Sequence, residues 1–135
     1  MSGTIVVGYV PTELGEAAVD EAARVALERN CTLVLVNASR SEAPYDPLLA
    51  TSEDLSRLIT ALESQGIAVT VDGPAQGEDP ADALLEAAQE HNADLIVIGL
   101  RNRSRVGKAL FGSTAQRVLL QAPCSVLAAK LPEAP

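Results

Sequence analysis

The sequence predicts an α/β fold, an open parallel sheet with helices on both faces. Five short apolar runs rich in β-branched residues alternate with four segments in which apolar residues recur at helical spacing. Strict alternation of strands and helices is typical of such a sheet. Hydrophobic residues make up 47% of the 135 residues, which fits strands buried on both faces. Because the composition shows no break and no internal repeat, we predict a single domain over residues 1–135.

The first strand is predicted over Thr4–Tyr9, since this stretch is β-branched and apolar. The first helix is predicted over Glu13–Arg29, with Thr12 as its N-terminal cap and Asn30 at its end. Its apolar stripe is formed by Leu14, Ala18, Ala22, Val25 and Ala26.

The second strand is predicted over Cys31–Ala38, and a loop with two prolines follows it. Thr51 and Asp54 have the spacing of a capping box and open the second helix, which Gly66 ends. Its apolar stripe is formed by Leu55, Leu58, Ile59 and Leu62.

The third strand is predicted over Ile67–Val71, followed by a loop at 72–78. Asp79 and Pro80 suit the cap and first position of a third helix. The fourth strand is predicted over Asp94–Gly99. The stripe of the third helix is formed by Ala81, Leu84, Leu85 and Ala88.

The fourth helix is predicted to start at Gly112-Ser113-Thr114 and to end before Pro123, which breaks it. The fifth strand is predicted over Cys124–Lys130. The stripe of the fourth helix is formed by Ala115, Val118, Leu119 and Ala122.

Charge is distributed unevenly along the chain, whose net charge is −8. Residues 1–94 carry a net charge of −13, whereas residues 95–135 carry +5. A local cationic segment in an acidic protein favours a small anionic ligand over a nucleic acid, which would need a broader basic surface. A solvated basic loop beside a helix is the alternative explanation.

The segment 94–114 is the candidate ligand site. A strand, the glycine Gly99, a cationic loop and a helix start at Gly112 shape the backbone to hold a phosphate. This loop and the turn Val10–Glu13 both follow strands, so they are predicted to meet at the carboxyl edge of the sheet. The basic side chains of the loop are Arg101, Arg103, Arg105 and Lys108.

The residue types that catalysis needs are sparse. His91 is the only histidine, and its place at the end of the third helix favours a structural role. No phosphate-binding P-loop and no metal-ligand pattern occur, so binding is favoured over turnover.

Cys31 and Cys124 are interpreted as small buried residues in a reducing compartment. Without an apolar run long enough for a membrane helix or a signal peptide, a cytoplasmic protein is expected.

The segment 94–114, together with the end of the chain and the turn after the first strand, resembles the universal stress protein family. The family carries the motif G-x2-G-x9-G-[S/T] after its fourth strand, and Gly99, Asn102 and Gly112-Ser113 match that spacing. The stretch AQRVLLQAPCSVLAAK is similar to the family's last helix and strand. The turn Val10–Glu13 resembles the turn after the family's first strand.

The resemblance implies the strand order 3-2-1-4-5 and a homodimer formed through the fifth strand, Cys124 to Lys130. One branch of the family binds ATP, so the resemblance implies ATP or AMP, with Mg²⁺ but no protein metal site. The residues implied at the phosphates are Gly99, Arg101, Asn102, Gly112, Ser113 and Thr114. Those implied at the adenosine end are Pro11, Thr12, Glu13, Asn37 and Ala38.

Two positions depart from the family pattern. Asn102 replaces the second motif glycine, and Glu13 stands where the family usually has Asp. A second branch of the family binds no nucleotide, so a dimeric stress-response interaction module is the alternative to a nucleotide-binding regulator. No enzymatic activity is expected, because no general base is evident. Slow ATP hydrolysis is left open. A two-component receiver domain fits less well, since the paired acids after the first strand are absent.

Overall fold

In the computed structural model, which describes residues 3–39, 50–101 and 112–131, five parallel strands alternate with four helices. The strands form one sheet in the order β3-β2-β1-β4-β5. This confirms the predicted fold class and the strand order that the resemblance implied. The elements are β1 (Thr4–Gly8), α1 (Glu13–Arg29), β2 (Thr32–Ser39), α2 (Ser52–Ser64), β3 (Val69–Gln76), α3 (Pro80–Glu90), β4 (Leu95–Arg101), α4 (Ser113–Gln121) and β5 (Ser125–Leu131).

The central strand β1 is buried on both faces, because successive side chains of a strand point to opposite sides of the sheet. Ile5 and Val7 pack in the hydrophobic cluster that α1 and α2 cover. Val6 packs in the cluster that α3 and α4 cover, between its register partners Val34 on β2 and Ile96 on β4. The consecutive apolar residues of the central strands therefore fill two cores, one on each side of the sheet.

The helix ends follow the sequence signals. The Thr12 hydroxyl accepts a hydrogen bond from the Gly15 amide at 3.4 Å, and α1 ends at Asn30 in a left-handed conformation, with φ of 55°. At the start of α3, the Asp79 carboxylate accepts from the Ala81 amide at 2.8 Å, with Pro80 as the first helical residue. Side-chain caps satisfy amides that have no partner inside the helix.

Helix α2 begins with the predicted capping box. The Thr51 hydroxyl accepts from the Asp54 amide, and the Asp54 carboxylate accepts from the Thr51 amide, both at 3.0 Å. These hydrogen bonds from Thr51 lower the pKa of Asp54, because they stabilise the charged carboxylate.

No helix in the described part of the chain has the length and apolar character needed to cross a bilayer.

Strand β3 was predicted too short and too early. It covers Val69–Gln76, not Ile67–Val71, so the predicted loop at 72–78 is mostly strand. Pairing with β2 causes the difference, since the register shifts between Val36 and Ala38 and then continues through Ala38↔Ala75. Pairing resumes beyond this β-bulge, so residues of low strand propensity become part of the strand. The predicted fifth strand is offset by one residue, because β5 spans Ser125–Leu131.

Three side chains are less buried than predicted. Leu119 was assigned to the buried stripe of α4, yet it is 44% exposed, because this helix turns only Ala115 and Val118 fully into the core. Cys31 and Cys124 are half-buried free thiols, since each lies just before a strand at the amino edge of the sheet. Burial, with Asp94 nearby, raises the pKa of the Cys124 thiol.

Replacing Thr51 with alanine should lower the free energy of unfolding by about 1 kcal/mol, the usual cost of losing an N-terminal cap. In the wild type, acid should weaken the same contact. The folded pKa of Asp54 is depressed, so its stabilisation is complete above the unfolded value of about 4 and disappears as the pH falls through the folded pKa. Denaturant unfolding at neutral and acidic pH measures both effects. Ser56→Ala, an exposed change within α2, is the control; equal stability of the two variants would contradict the role of the cap.

Candidate functional site

A cleft opens where β1 and β4 separate. The two strands pair from Ile5↔Leu95 to Val7↔Val97, after which β4 follows β5 up to Arg101. On its other side, β1 pairs with β2 as far as Gly8↔Val36. The strand order therefore reverses between β1 and β4. In open parallel sheets, this reversal of strand order is where ligands bind.

The cleft has a volume of about 350 Å³, which is in the range of small-molecule sites. The carboxyl ends of β1, β2 and β4 form its floor, and the first turns of α1, α3 and α4 form its walls. Most of the side chains that face it are apolar, so it suits a flat, partly apolar ligand. The lining residues are Gly8, Tyr9, Val10, Leu14, Gly15, Val36, Ala38, Pro80, Leu84, Ile98, Gly99, Leu100, Gly112, Thr114 and Ala115.

Two glycines bring α1 onto the strand ends. A Cβ atom at Gly15 would lie 1.9 Å from the Val10 carbonyl oxygen, and one at Gly99 would lie 2.6 Å from the Leu14 carbonyl oxygen. Only a residue without Cβ permits such approaches. The first turn of α1 is therefore held against both β1 and β4, and it closes one side of the cleft.

The start of α4 differs from the other three helix starts. Its N-cap, Gly112, makes no side-chain capping bond, and its first turn holds no acidic residue. In contrast, Thr12, Thr51 and Asp79 cap the other helices, each of which carries an acid in its first turn. Among the described residues no side chain caps these amides, so with the helix dipole they leave a partial positive charge at the cleft, which favours an anion.

Within the described part of the chain, neither backbone strain nor packing explains glycine at position 112. Its φ of −64° and ψ of 159° are open to any residue. A Cβ atom there would have no neighbour within 4 Å among the described residues. Glycine at this position instead leaves space beside the start of α4, as a ligand that approaches the backbone closely would require.

Helices α3 and α4 are tied together next to the cleft. The Arg117 guanidinium of α4 donates to the Asp82 carboxylate and lies 3.7 Å from the carboxylate of Asp79. These acids belong to the start of α3, whose Pro80 lines the cleft. The pair thus orients two cleft walls relative to each other, and the Arg117 charge is balanced.

Asn37 is fully buried below the cleft, and both ends of its amide are bonded. Its NH2 group donates to the Tyr9 carbonyl at 2.7 Å, and its oxygen accepts from the Ala50 amide at 2.9 Å. Asn37 therefore links the residue that follows β1 to the residue just before the N-terminus of α2, and it positions the Tyr9 backbone. Burial, with Asp54 and Glu16 nearby, raises the pKa of the adjoining Tyr9.

The structure brings part of the predicted site together. Ala38, Gly99, Gly112 and Thr114 line the cleft, from the ends of β2 and β4 and the start of α4. Arg101 is the last residue of β4. The predicted residues that stand outside the lining are Pro11, Thr12, Glu13, Asn37 and Ser113. Asn102 and the loop cations Arg103, Arg105 and Lys108 lie outside the described residues.

Sequence reasoning missed several residues of the cleft. Gly15 carried a signal, because glycine is unfavourable inside a helix and its presence in the first turn of α1 indicates a close contact. Tyr9 and Leu14 were treated only as part of a strand and a helical stripe. Their exposure to the cleft depends on the point at which β1 stops pairing with β4. No local sequence pattern predicts that point.

The fold and the cleft define a class: doubly wound α/β proteins with a cleft at the reversal of strand order. The profile of the universal stress protein family matches residues 1–130, and the chain belongs to that family. A universal stress protein of Mycolicibacterium smegmatis is 39% identical over 126 residues, which cover 93% of this chain and 96% of the relative.

Solved structures agree with this assignment. A universal stress protein from Archaeoglobus fulgidus superposes with a TM-score of 0.74 at 26% identity, covering 93% of this chain and 92% of the other. A universal stress protein solved in complex with cAMP has a TM-score of 0.69 at 26% identity, covering 93% of this chain and 94% of the other.

Gly15→Ala should destabilise the protein by about 1–3 kcal/mol, because the new Cβ atom meets the Val10 carbonyl. The direction is diagnostic, since Gly→Ala inside a helix otherwise stabilises by about 1 kcal/mol. Gly112→Ala is the matched control and should change stability by less than about 0.5 kcal/mol. Thermal and denaturant unfolding compare the two; a neutral or stabilising Gly15→Ala would contradict the close contact.

Proposed function

We propose that this protein is a small regulatory protein of the universal stress protein family that binds an adenine nucleotide in the cleft between β1 and β4. The observation that carries the proposal is the start of α4, which has no side-chain cap and no acid and opens into the cleft beside Gly112. Amides at such a helix start bind phosphate oxygens. The net charge of +5 over residues 95–135 favours the same anion.

The rest of the cleft suits the nucleoside. Tyr9, Val10 and Leu84 offer apolar surface from β1 and α3, next to Ala38 at the end of β2. A purine ring buried against such side chains gains from the removal of apolar area from water. The cAMP complex of the structural relative supports an adenine nucleotide as the ligand class.

The proposal divides the predicted residues between the two ends of the ligand. Gly99, Arg101, Asn102, Gly112, Ser113 and Thr114 are assigned to the phosphates of ATP or AMP, with Mg²⁺ as an accompanying ion. Pro11, Thr12, Glu13, Asn37 and Ala38 are assigned to the adenosine end. Within this set, Asn37 acts through Tyr9, whose carbonyl it holds.

Binding without turnover is proposed, because no nucleophile with an adjacent base lines the described cleft. Two free thiols suit the reducing cytoplasm as the compartment.

The second candidate function is that of a dimeric interaction module that binds no nucleotide. The sequence feature that favours it is Asn102, which stands where the family motif has its second glycine.

Gly112→Val should abolish nucleotide binding, because its side chain fills the space beside the start of α4. Arg101→Ala should lower the affinity by about 1.5–3 kcal/mol, the contribution of a charge-assisted phosphate contact, which corresponds to a loss of roughly tenfold or more. Calorimetry with Mg-ATP, ADP and AMP measures the affinities. Mass analysis of ligand released from natively purified protein identifies any nucleotide acquired in the cell.

Two variants serve as controls for this experiment. Arg24→Ala removes an exposed arginine of α1 that pairs with Glu21 and Glu28 and does not line the cleft, so it should leave the affinity unchanged. Gly112→Ala adds the smaller side chain and should fall between the wild type and Gly112→Val. No heat at millimolar nucleotide and no copurified nucleotide would reject the binding proposal and favour the interaction module.

We also propose a homodimer that forms through strand 5, Cys124 to Lys130. β5 is an edge strand, because it pairs only with β4 in the sheet order. Val126, Leu127 and Ala128 are half-buried, although their register partners on β4, Ile96, Val97 and Ile98, are buried. An unpaired edge with partly exposed apolar side chains is suited to a second copy of the chain.

Val126→Glu should shift the protein towards monomer at equal concentration, because it places a charge in the proposed interface. Leu120→Glu is the control, since Leu120 is 80% exposed on α4, outside β5. Sedimentation velocity over a concentration series gives the masses, and thermal unfolding checks that each variant folds. A wild type that is monomeric throughout, or a dimer that withstands Val126→Glu, would contradict the interface.

A further inference from the structure

A second concave surface lies between β3 and α3, and we call it the acidic groove. It encloses about 90 Å³. Four carboxylates line it without a lysine or arginine among the described lining residues, so its charge is unbalanced locally. The lining residues are Val36, Asp72, Glu78, Ala83, Glu86, Ala87 and Glu90.

The only histidine of the chain stands at one end of this groove. His91 is the C-cap of α3, and its Nε2 atom lies 3.3 Å from Oδ2 of Asp72 on β3. The carboxylate of Glu90 completes a trio in which one donor atom from each side chain lies within 4.8 Å of the others. Residues from two elements far apart in sequence therefore converge on one point.

The separation of the imidazole and the first carboxylate suits a shared metal. Zinc binds His nitrogen and carboxylate oxygen at about 2.1 Å, so two ligands at a tetrahedral angle lie roughly 3.4 Å apart. The observed 3.3 Å between His91 and Asp72 matches this value. Glu90 is exposed, so its carboxylate can rotate to the third position while water from the groove takes the fourth.

The donor set also selects the kind of cation. Mg²⁺ and Ca²⁺ prefer oxygen ligands alone, whereas an imidazole with carboxylates suits zinc and its neighbours among the divalent transition metals. The field of the groove favours any such cation. Burial and repulsion by Glu86, Asp82 and Asp72 raise the pKa of Glu78.

We propose that His91, Asp72 and Glu90 form a binding site for one divalent metal ion such as Zn²⁺. The site is separate from the nucleotide cleft and does not rest on the proposed function. A metal there would join the edge strand β3 to the end of α3. The sequence alone, with a single histidine and no ligand-spacing motif, predicts no metal site, so the proposal depends on the contacts of the folded chain.

Zn²⁺ and Co²⁺ binding to untagged protein tests the site. Calorimetry should give one metal per chain with micromolar affinity, and His91→Asn and Asp72→Asn should each weaken it by at least about tenfold, since even the loss of a group behind a ligand costs about 10–100-fold. The matched pair on α3 is Glu90→Gln, which should weaken binding, and Glu86→Gln, a groove acid outside the trio, which should have little effect.

Imidazole resonances give a readout that does not depend on a variant's folding. Because the chain has one histidine, its side-chain nitrogen signals belong to His91 alone, and Zn²⁺ should shift the Nε2 signal. Three results would overturn the proposal: unchanged imidazole signals at millimolar Zn²⁺, equal affinity in folded His91→Asn, or a sulfur-to-cobalt band that moves the metal to Cys31 or Cys124.

Discussion

The contact between the first turn of α1 and the ends of β1 and β4 is the constraint on which the site depends. Gly15 and Gly99 make it, because their missing Cβ atoms let the Val10 and Leu14 carbonyls approach. The turn then closes the cleft from one side, while the separation of β1 from β4 opens it from below. Any side chain at Gly15 or Gly99 would push α1 away from the sheet and change the shape of the cleft.

Electrostatics divide the molecule between two surfaces at the carboxyl side of the sheet. Three helix starts are capped and carry acids, whereas α4 starts at Gly112 with neither. An anion is therefore favoured at one helix start. On the far side of α3, carboxylates gather around Asp72 and favour a cation. The carboxylates of the groove belong to the strongly acidic stretch of residues 1–94.

Helix α3 stands between the two surfaces. Its Pro80 and Leu84 face the cleft, and its Glu86 and Glu90 face the acidic groove. Val36 on β2 lines both cavities. A cation that stabilises the end of α3 would therefore act on an element that also forms a wall of the cleft, and Arg117 links the start of this helix to α4.

The sequence by itself determined the fold class, the helix starts at Thr12, Thr51 and Asp79, and the segment that leads to Gly112, because periodicity and caps are local properties. It also placed part of the cleft, since parallel strands end at one edge. Only the tertiary structure decided the length of β3, whose bulged pairing with β2 overrides its turn-forming residues. The inward side chain of Asn37 and the meeting of His91 with Asp72 likewise depend on strand register and helix packing, which bring together residues that lie far apart in the chain.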